Sequence, residues 1–173
     1  MNEEIKAKVK KMTDSGRYEE ACKLLQNVIE QHPEDVEAYN RLGVLMAQQG
    51  RYFESEEHFK RAVELDPNNC SALNNLGNIF YETGDLESAE EYFKAAIKLD
   101  PYNPLPYNNL AVIYKKKKQT DLFVRYLRKS MSLERMRGFD RHKQTDDKTM
   151  QYRLLVWLTG IIILLFIFFK QGG

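Results

Sequence analysis

Histidine and cysteine are scarce in this chain. Its 173 residues hold 3 histidines and 2 cysteines. Cys22 and Cys70 lie far apart with no CxxC spacing, which excludes a disulfide framework or a zinc ligand set and suits a reducing compartment. His32, His58 and His142 are isolated, with no HExxH and no cysteine at ligand spacing, so no metal-hydrolase pattern exists. Neither GxGxxG nor GxxxxGK[ST] occurs, so there is no phosphate-cradling loop. The reading is a non-enzyme with no cofactor and no metal. An apolar N-terminal run is also missing. "MNEEIKAKVKK" is charged throughout, so export by a signal peptide is not expected.

An excess of one charge is missing too, but only on average. The net charge is +1. Residues 1–114 hold 12 Lys+Arg against 20 Asp+Glu, a net of −8, whereas residues 115–153 hold 13 against 5, a net of +8. Such a split places the two ends in different surroundings. The hydrophobic fraction of 43% argues against wholesale disorder.

What is abundant is repetition. "LGVLMAQQGRYFESEEHFKRAVELDPNN" from Leu42 is nearly restated by "LGNIFYETGDLESAEEYFKAAIKLDPYN" from Leu76, 34 residues later. A 34-residue frame divides the chain into units 2–35, 36–69, 70–103 and 104–137 without insertions. The eighth residues are Val9, Gly43, Gly77 and Ala111; the twentieth are Ala21, Ser55, Ala89 and Phe123; the twenty-fourth are Leu25, Phe59, Phe93 and Leu127. Within each half the apolar positions fall three or four apart, which is helical spacing. Gly16, Gly50 and Gly84 sit mid-unit, where a helix should stop and turn. Pro33, Pro67 and Pro101 sit near unit ends, where the second helix must stop. Small eighth, twentieth and twenty-seventh residues let the two helices approach, and large fourth, eleventh and twenty-fourth residues fill between them.

These residues strongly resemble the tetratricopeptide repeat family. Units two and three match its signature positions, and "LDPNN" and "LDPYN" belong to the same pattern. Unit one departs at Lys8, and unit four at Lys118, Phe123 and Arg135. End units lack one neighbour and are expected to be atypical. The resemblance implies an all-α fold over 2–137, a right-handed superhelix of about four helix–turn–helix repeats whose first helices line a concave face.

On that frame the inward fifth residues are Lys6, Asn40, Asn74 and Asn108, and the sixth are Ala7, Arg41, Asn75 and Asn109. The ninth are Lys10, Val44, Asn78 and Val112, and the twelfth are Thr13, Ala47, Tyr81 and Lys115. An amide side chain both donates and accepts, so an asparagine ladder can hold the backbone of an extended peptide. Arg41, Tyr81 and Lys115 are then left to select its side chains. Asparagine at the sixth residue is also common in the family for structural reasons. The basic clamp by which some members hold a chaperone carboxylate is incomplete here: its places carry Asn40, Val44, Asn75, Leu105 and Asn109. A weaker preference for anions around Lys6, Lys10 and Arg41 is left.

Residues 154–169, "LLVWLTGIIILLFIFF", carry no charge and lie between Arg153 and Lys170. As a helix they reach about 24 Å, short of a hydrocarbon core of about 30 Å, with snorkelling cations and local thinning closing the gap. The expectation is a transmembrane helix at 153–170, a C-terminal tail anchor preceded by a basic linker at 138–152 and followed by a short tail at 171–173. Arg135, Arg137, Arg141, Lys143, Lys148 and Arg153 lie upstream and only Lys170 downstream, which keeps the repeats cytoplasmic. "KKKK" at Lys115 to Lys118 is read as a solvated helix end or as attraction to anionic headgroups, with no nucleic-acid partner. The expected function is a single-pass membrane scaffold or adaptor that binds a protein or peptide partner. The bacterial inner membrane is favoured over an organelle outer membrane. The alternative is a membrane-complex assembly or organelle-division factor acting through self-association as a homo-oligomer.

Overall fold

The computed structural model describes residues 1–138. The chain divides into two compact units, 1–130 and 131–173; of the second, only the helical residues 131–138 are described. The expected transmembrane helix, the tail and all but the first residue of the linker lie outside the described residues. Among the described residues no helix is long and apolar enough to cross a membrane.

The described chain is all helical, and the helices follow the 34-residue frame. They are α1 (Glu3–Asp14), α2 (Tyr18–Gln31), α3 (Val36–Gln48), α4 (Tyr52–Leu65), α5 (Cys70–Thr83), α6 (Leu86–Leu99) and α7 (Pro104–Lys116), then α8 over 120–138. Helices α1, α3 and α5 each pack on the helix that follows, and α7 meets α8 through Ser130 on Pro104 and Tyr126 on Tyr114. Each even-numbered helix in turn packs on the next unit, as α2 on α3, α4 on α5 and α6 on α7. The first helices also touch directly, α3 to α5 and α5 to α7.

The turns explain the punctuation. Gly16, Gly50 and Gly84 have φ of 73°, 74° and 92°, a left-handed conformation in which a Cβ would be strained. In unit four the same place is held by Lys118 with φ 58°. The turn survives the loss of its glycine, at a backbone cost. The "LDPNN" endings act twice. Asp66 Oδ1 accepts from the Asn68 backbone N–H at 3.1 Å, and Asp100 Oδ1 from Tyr102 N–H at 3.1 Å. The last asparagine then caps the next first helix: Asn69 accepts from Ala72 N–H at 2.9 Å and Asn103 from Leu105 N–H at 3.1 Å. Asp35 does the same for Ala38 at 2.9 Å. Each such cap contributes about 1 kcal/mol.

The core lies between the helix rows. Phe59 and Phe93 are each 1% exposed and lie against the missing side chains of Gly43 and Gly77. Burying a ring of that size stabilises by roughly 1.5–3 kcal/mol, and no other eighth residue would let it come so close. Ser55, at the twentieth position, is fully buried and donates to the Gly43 carbonyl at 2.7 Å. In unit four Ser130 donates to the Pro104 carbonyl at 3.0 Å. The small positions therefore serve close approach and also tie paired helices together.

Candidate peptide-binding face

The candidate face is the row of first helices α1, α3, α5 and α7. The 34-residue period puts their fifth, sixth and ninth residues side by side, and the amides meet across units. Asn75 Nδ2 donates to Asn40 Oδ1 at 3.1 Å. Asn109 Nδ2 donates to Asn74 Oδ1 at 3.0 Å and to Asn78 Oδ1 at 2.9 Å. The pairing is diagonal: the fifth residue of one unit meets the sixth of the next. Asn74 is buried and Asn40, Asn75, Asn78 and Asn109 are half-buried, whereas Asn108 is exposed and outside this network. Five of the six asparagines thus form two bridges, one from α3 to α5 and one from α5 to α7, and Asn108 stands outside both.

The charged residues of the face are also engaged. Arg41 donates to Glu37 through Nε at 3.0 Å and Nη2 at 2.9 Å. Lys6 pairs with Glu37 at 2.7 Å and Glu3 at 2.9 Å. Burial pushes the Glu37 carboxyl up, but Lys6 and Arg41 outweigh it and hold it below the usual range. The Glu37 and Glu3 hydrogen bonds push the Lys6 ammonium up. Lys10 pairs with Asp14 at 3.6 Å. With a carboxylate beside each of Lys6, Lys10 and Arg41, the anion preference that their sequence positions suggested is locally offset.

Between α1 and α3 the face opens into a groove of about 340 Å³ with Val9, Val44 and Leu45 on its floor and Lys10, Asp14 and Arg41 at its edge. Val44 and Val112 are 36% and 39% exposed, so apolar side chains flank the amides at matching ninth positions. Further along, Tyr81 is half-buried and Lys115 exposed. The cation that reaches Tyr81 is the neighbouring Lys116, whose Nζ lies 5.0 Å from the ring centroid. Sequence reasoning chose Lys115 from the unit frame. The aromatic at the twelfth place of the preceding unit was the signal for Lys116.

The rest of "KKKK" is structural. Lys117 Nζ pairs with Glu90 at 2.8 Å and Glu87 at 3.5 Å, and Lys118 makes the turn. Glu90 also receives Lys94 at 2.6 Å and the Tyr114 hydroxyl at 2.7 Å. Burial pushes its carboxyl up, but Lys117, Lys94 and Tyr114 outweigh that and bring it down to about 2. Among the described residues, no group of three or more His, Cys, Asp or Glu is placed to hold a metal ion.

Family comparisons agree with the geometry. Models described as tetratricopeptide repeat match residues 34–101 and 92–122, and one described as TPR repeat matches 11–50. The chain therefore carries tetratricopeptide repeats. Among solved structures, "Crystal structure of MamA" shares 22% identity, covering 75% of this chain and 76% of that one, with a TM-score of 0.68. "MamA 41-end from Desulfovibrio magneticus RS-1" shares 22%, covering 72% and 71%, with a TM-score of 0.65. "MamA MSR-1 C2" shares 20%, covering 72% of each, with a TM-score of 0.61. At such identity the likeness is one of fold. No curated protein matches the chain in sequence.

Proposed function

We propose that this chain, built of tetratricopeptide repeats, is a membrane-tethered scaffold that binds a protein partner as an extended peptide, and is not an enzyme. The observation that carries the reading is the first-helix face. It offers an apolar-floored groove and exposed Val44, Val112 and Asn108 beside amides with hydrogen-bonding capacity left over. Such stacked repeats present long surfaces to other chains. The candidate contacts are Asn40, Arg41, Asn74, Asn75, Asn78, Tyr81, Asn108, Asn109 and Lys115, with Lys116 added beside Tyr81. The uncharged run 154–169 and the upstream cations support a single-pass tether with the repeats in the cytoplasm, at a bacterial inner membrane in preference to an organelle outer membrane.

The test is site-specific photo-crosslinking of the full chain in its own membrane, with the probe at Val44 or Asn108. Adducts to a distinct protein are expected at both positions, and those from the probe at Asn108 should be lost when Val44 and Val112 are changed to Asp. Adducts only between copies of this chain would replace the reading with self-association in complex assembly. No adducts at either position would remove the face as a binding site.

A further inference from the structure

The second helices carry a different surface. Between α6, α7 and α8 lies a groove of about 560 Å³ whose floor is Ile97, Tyr107 and Tyr126 and whose rim is Lys94, Arg125, Arg128 and Lys129. No carboxylate lines it among the described residues. Tyr107 and Tyr126 face each other at 6.3 Å between centroids, and Lys129 Nζ lies 6.0 Å from the Tyr107 ring. Lys94 is shared with Glu90. Arg125 and Arg128 are exposed and pair with no carboxylate among the described residues. On the first-helix face, Lys6, Lys10 and Arg41 each have a carboxylate partner. Arg125, Arg128 and Lys129, none with a carboxylate partner among the described residues, are thus gathered around one groove.

We infer that this groove is a docking site for the phosphate headgroups of anionic lipids, which would hold the repeats against the bilayer. Arginine and lysine on a rim suit phosphate oxygens, and an aromatic floor suits the glycerol and upper acyl region, where tyrosine is enriched at interfaces. The inference rests on the tether proposed above for its geometry. Only 23 residues separate Ser130 from Leu154, and fully extended they reach at most about 80 Å. A tethered groove therefore samples the membrane surface at high effective concentration. That favours lipid over a phosphorylated peptide, which would have to be supplied from solution. The first-helix face remains free for a peptide at the same time.

The experiment uses the full chain in phosphatidylcholine bilayers with or without phosphatidylglycerol. The rate of lysine acetylation is read by mass spectrometry. Anionic lipid is expected to slow acetylation of Lys94 and Lys129 by about fivefold, reversibly with salt, and to leave Lys23, exposed on α2, unchanged. Arg125→Gln with Arg128→Gln should abolish the slowing while the far-ultraviolet circular dichroism is unchanged. Equal rates in the two bilayers would overturn the inference. So would protection by a soluble phosphoserine peptide with none from anionic lipid. The tether is read separately, by flotation with neutral vesicles. If it fails there, the groove still predicts flotation with anionic vesicles that is lost in the double variant, and absence of that flotation refutes the groove itself.

Discussion

Gly77→Ala tests the packing argument most directly, because propensity and packing give opposite signs. Gly77 lies inside α5, and in an exposed helix the change to alanine stabilises by about 1 kcal/mol. Here an added Cβ would lie 2.5 Å from Phe93 Cε1, 2.7 Å from Cδ1 and 3.0 Å from Cζ. The ring cannot swing into solvent. It is 1% exposed and belongs to the buried cluster with Ala89, Leu110, Ile113 and Tyr114. Overpacking of that kind costs about 1–3 kcal/mol. The packing term should therefore win, with a net destabilisation of about 1 kcal/mol. Urea unfolding of the full chain in mild detergent measures it, with amide exchange in α5 and α6 as a local readout. At Gly43 the corresponding approaches to Phe59 are 2.8, 2.9 and 3.0 Å, so Gly43→Ala should cost less. In a Phe93→Leu background, Gly77→Ala should lose most of its penalty. A Gly77→Ala variant as stable as the parent, or more so, would refute the claim that the ring needs the glycine.

Three further outcomes follow from the same structure. Lys118→Gly should stabilise by about 0.5 kcal/mol, because relief of a left-handed lysine exceeds the entropy cost of glycine; a lower unfolding midpoint would contradict this. Glu90 has its carboxyl held down at about 2 against an ordinary 4.5, so its contribution is complete above about pH 4.5 and fades as pH falls towards 2. Glu90→Gln should cost about 2 kcal/mol at neutral pH after allowance for solvent screening and flatten the acid limb of the stability curve, as read by urea midpoints at stepped pH. Asn109→Ala should cost about 1–3 kcal/mol because it leaves the buried Asn74 oxygen without its donor. Asn108→Ala should leave stability within about 0.5 kcal/mol and weaken partner crosslinking.

The helices were legible because period, turn glycine and apolar spacing all specify the same boundaries. Gly50 and Gly84 mark stops at which the chain turns left-handed, and the small eighth and large twenty-fourth residues were legible as close-approach and filling positions, which the structure pairs as Phe59 on Gly43 and Phe93 on Gly77. The caps were less visible. "LDPNN" was recognised as a pattern, but Asp66 as a turn acceptor and Asn69 as a cap are roles of the same string in two consecutive elements. The site was legible as a set of positions and not as a set of bonds. A frame that counts within one unit aligns Asn40 with Asn74, whereas the offset between stacked helices joins Asn40 to Asn75. The same limitation separates Lys115 from Lys116. A single helix frame cannot say which of two adjacent lysines bends back over the preceding unit's tyrosine. The outer groove was hidden because its cations and its aromatics come from three helices, with Lys94 and Arg125 31 residues apart in sequence.

The diagonal pairing changes what the asparagines can do for a ligand. An amide has two donor hydrogens and an oxygen with two acceptor sites. Asn109 spends its donors on Asn74 and Asn78 and keeps its oxygen. Asn75 spends one donor on Asn40 and keeps its oxygen, while Asn40 and Asn78 accept with their oxygens. The network therefore fixes each amide's orientation and leaves Asn40 and Asn78 as donors and Asn75 and Asn109 as acceptors. Fixed amides lose little rotamer entropy when they bind, which favours an extended backbone presenting alternate C=O and N–H groups. Replacing Asn74, Asn75 and Asn109 together would remove the scaffold and the recognition surface at once. Asn108, exposed and outside the bridges, separates the two: Asn108→Ala leaves the scaffold intact, so weakened crosslinking at unchanged stability would place the ligand on this face, and full crosslinking would take Asn108 out of the contact.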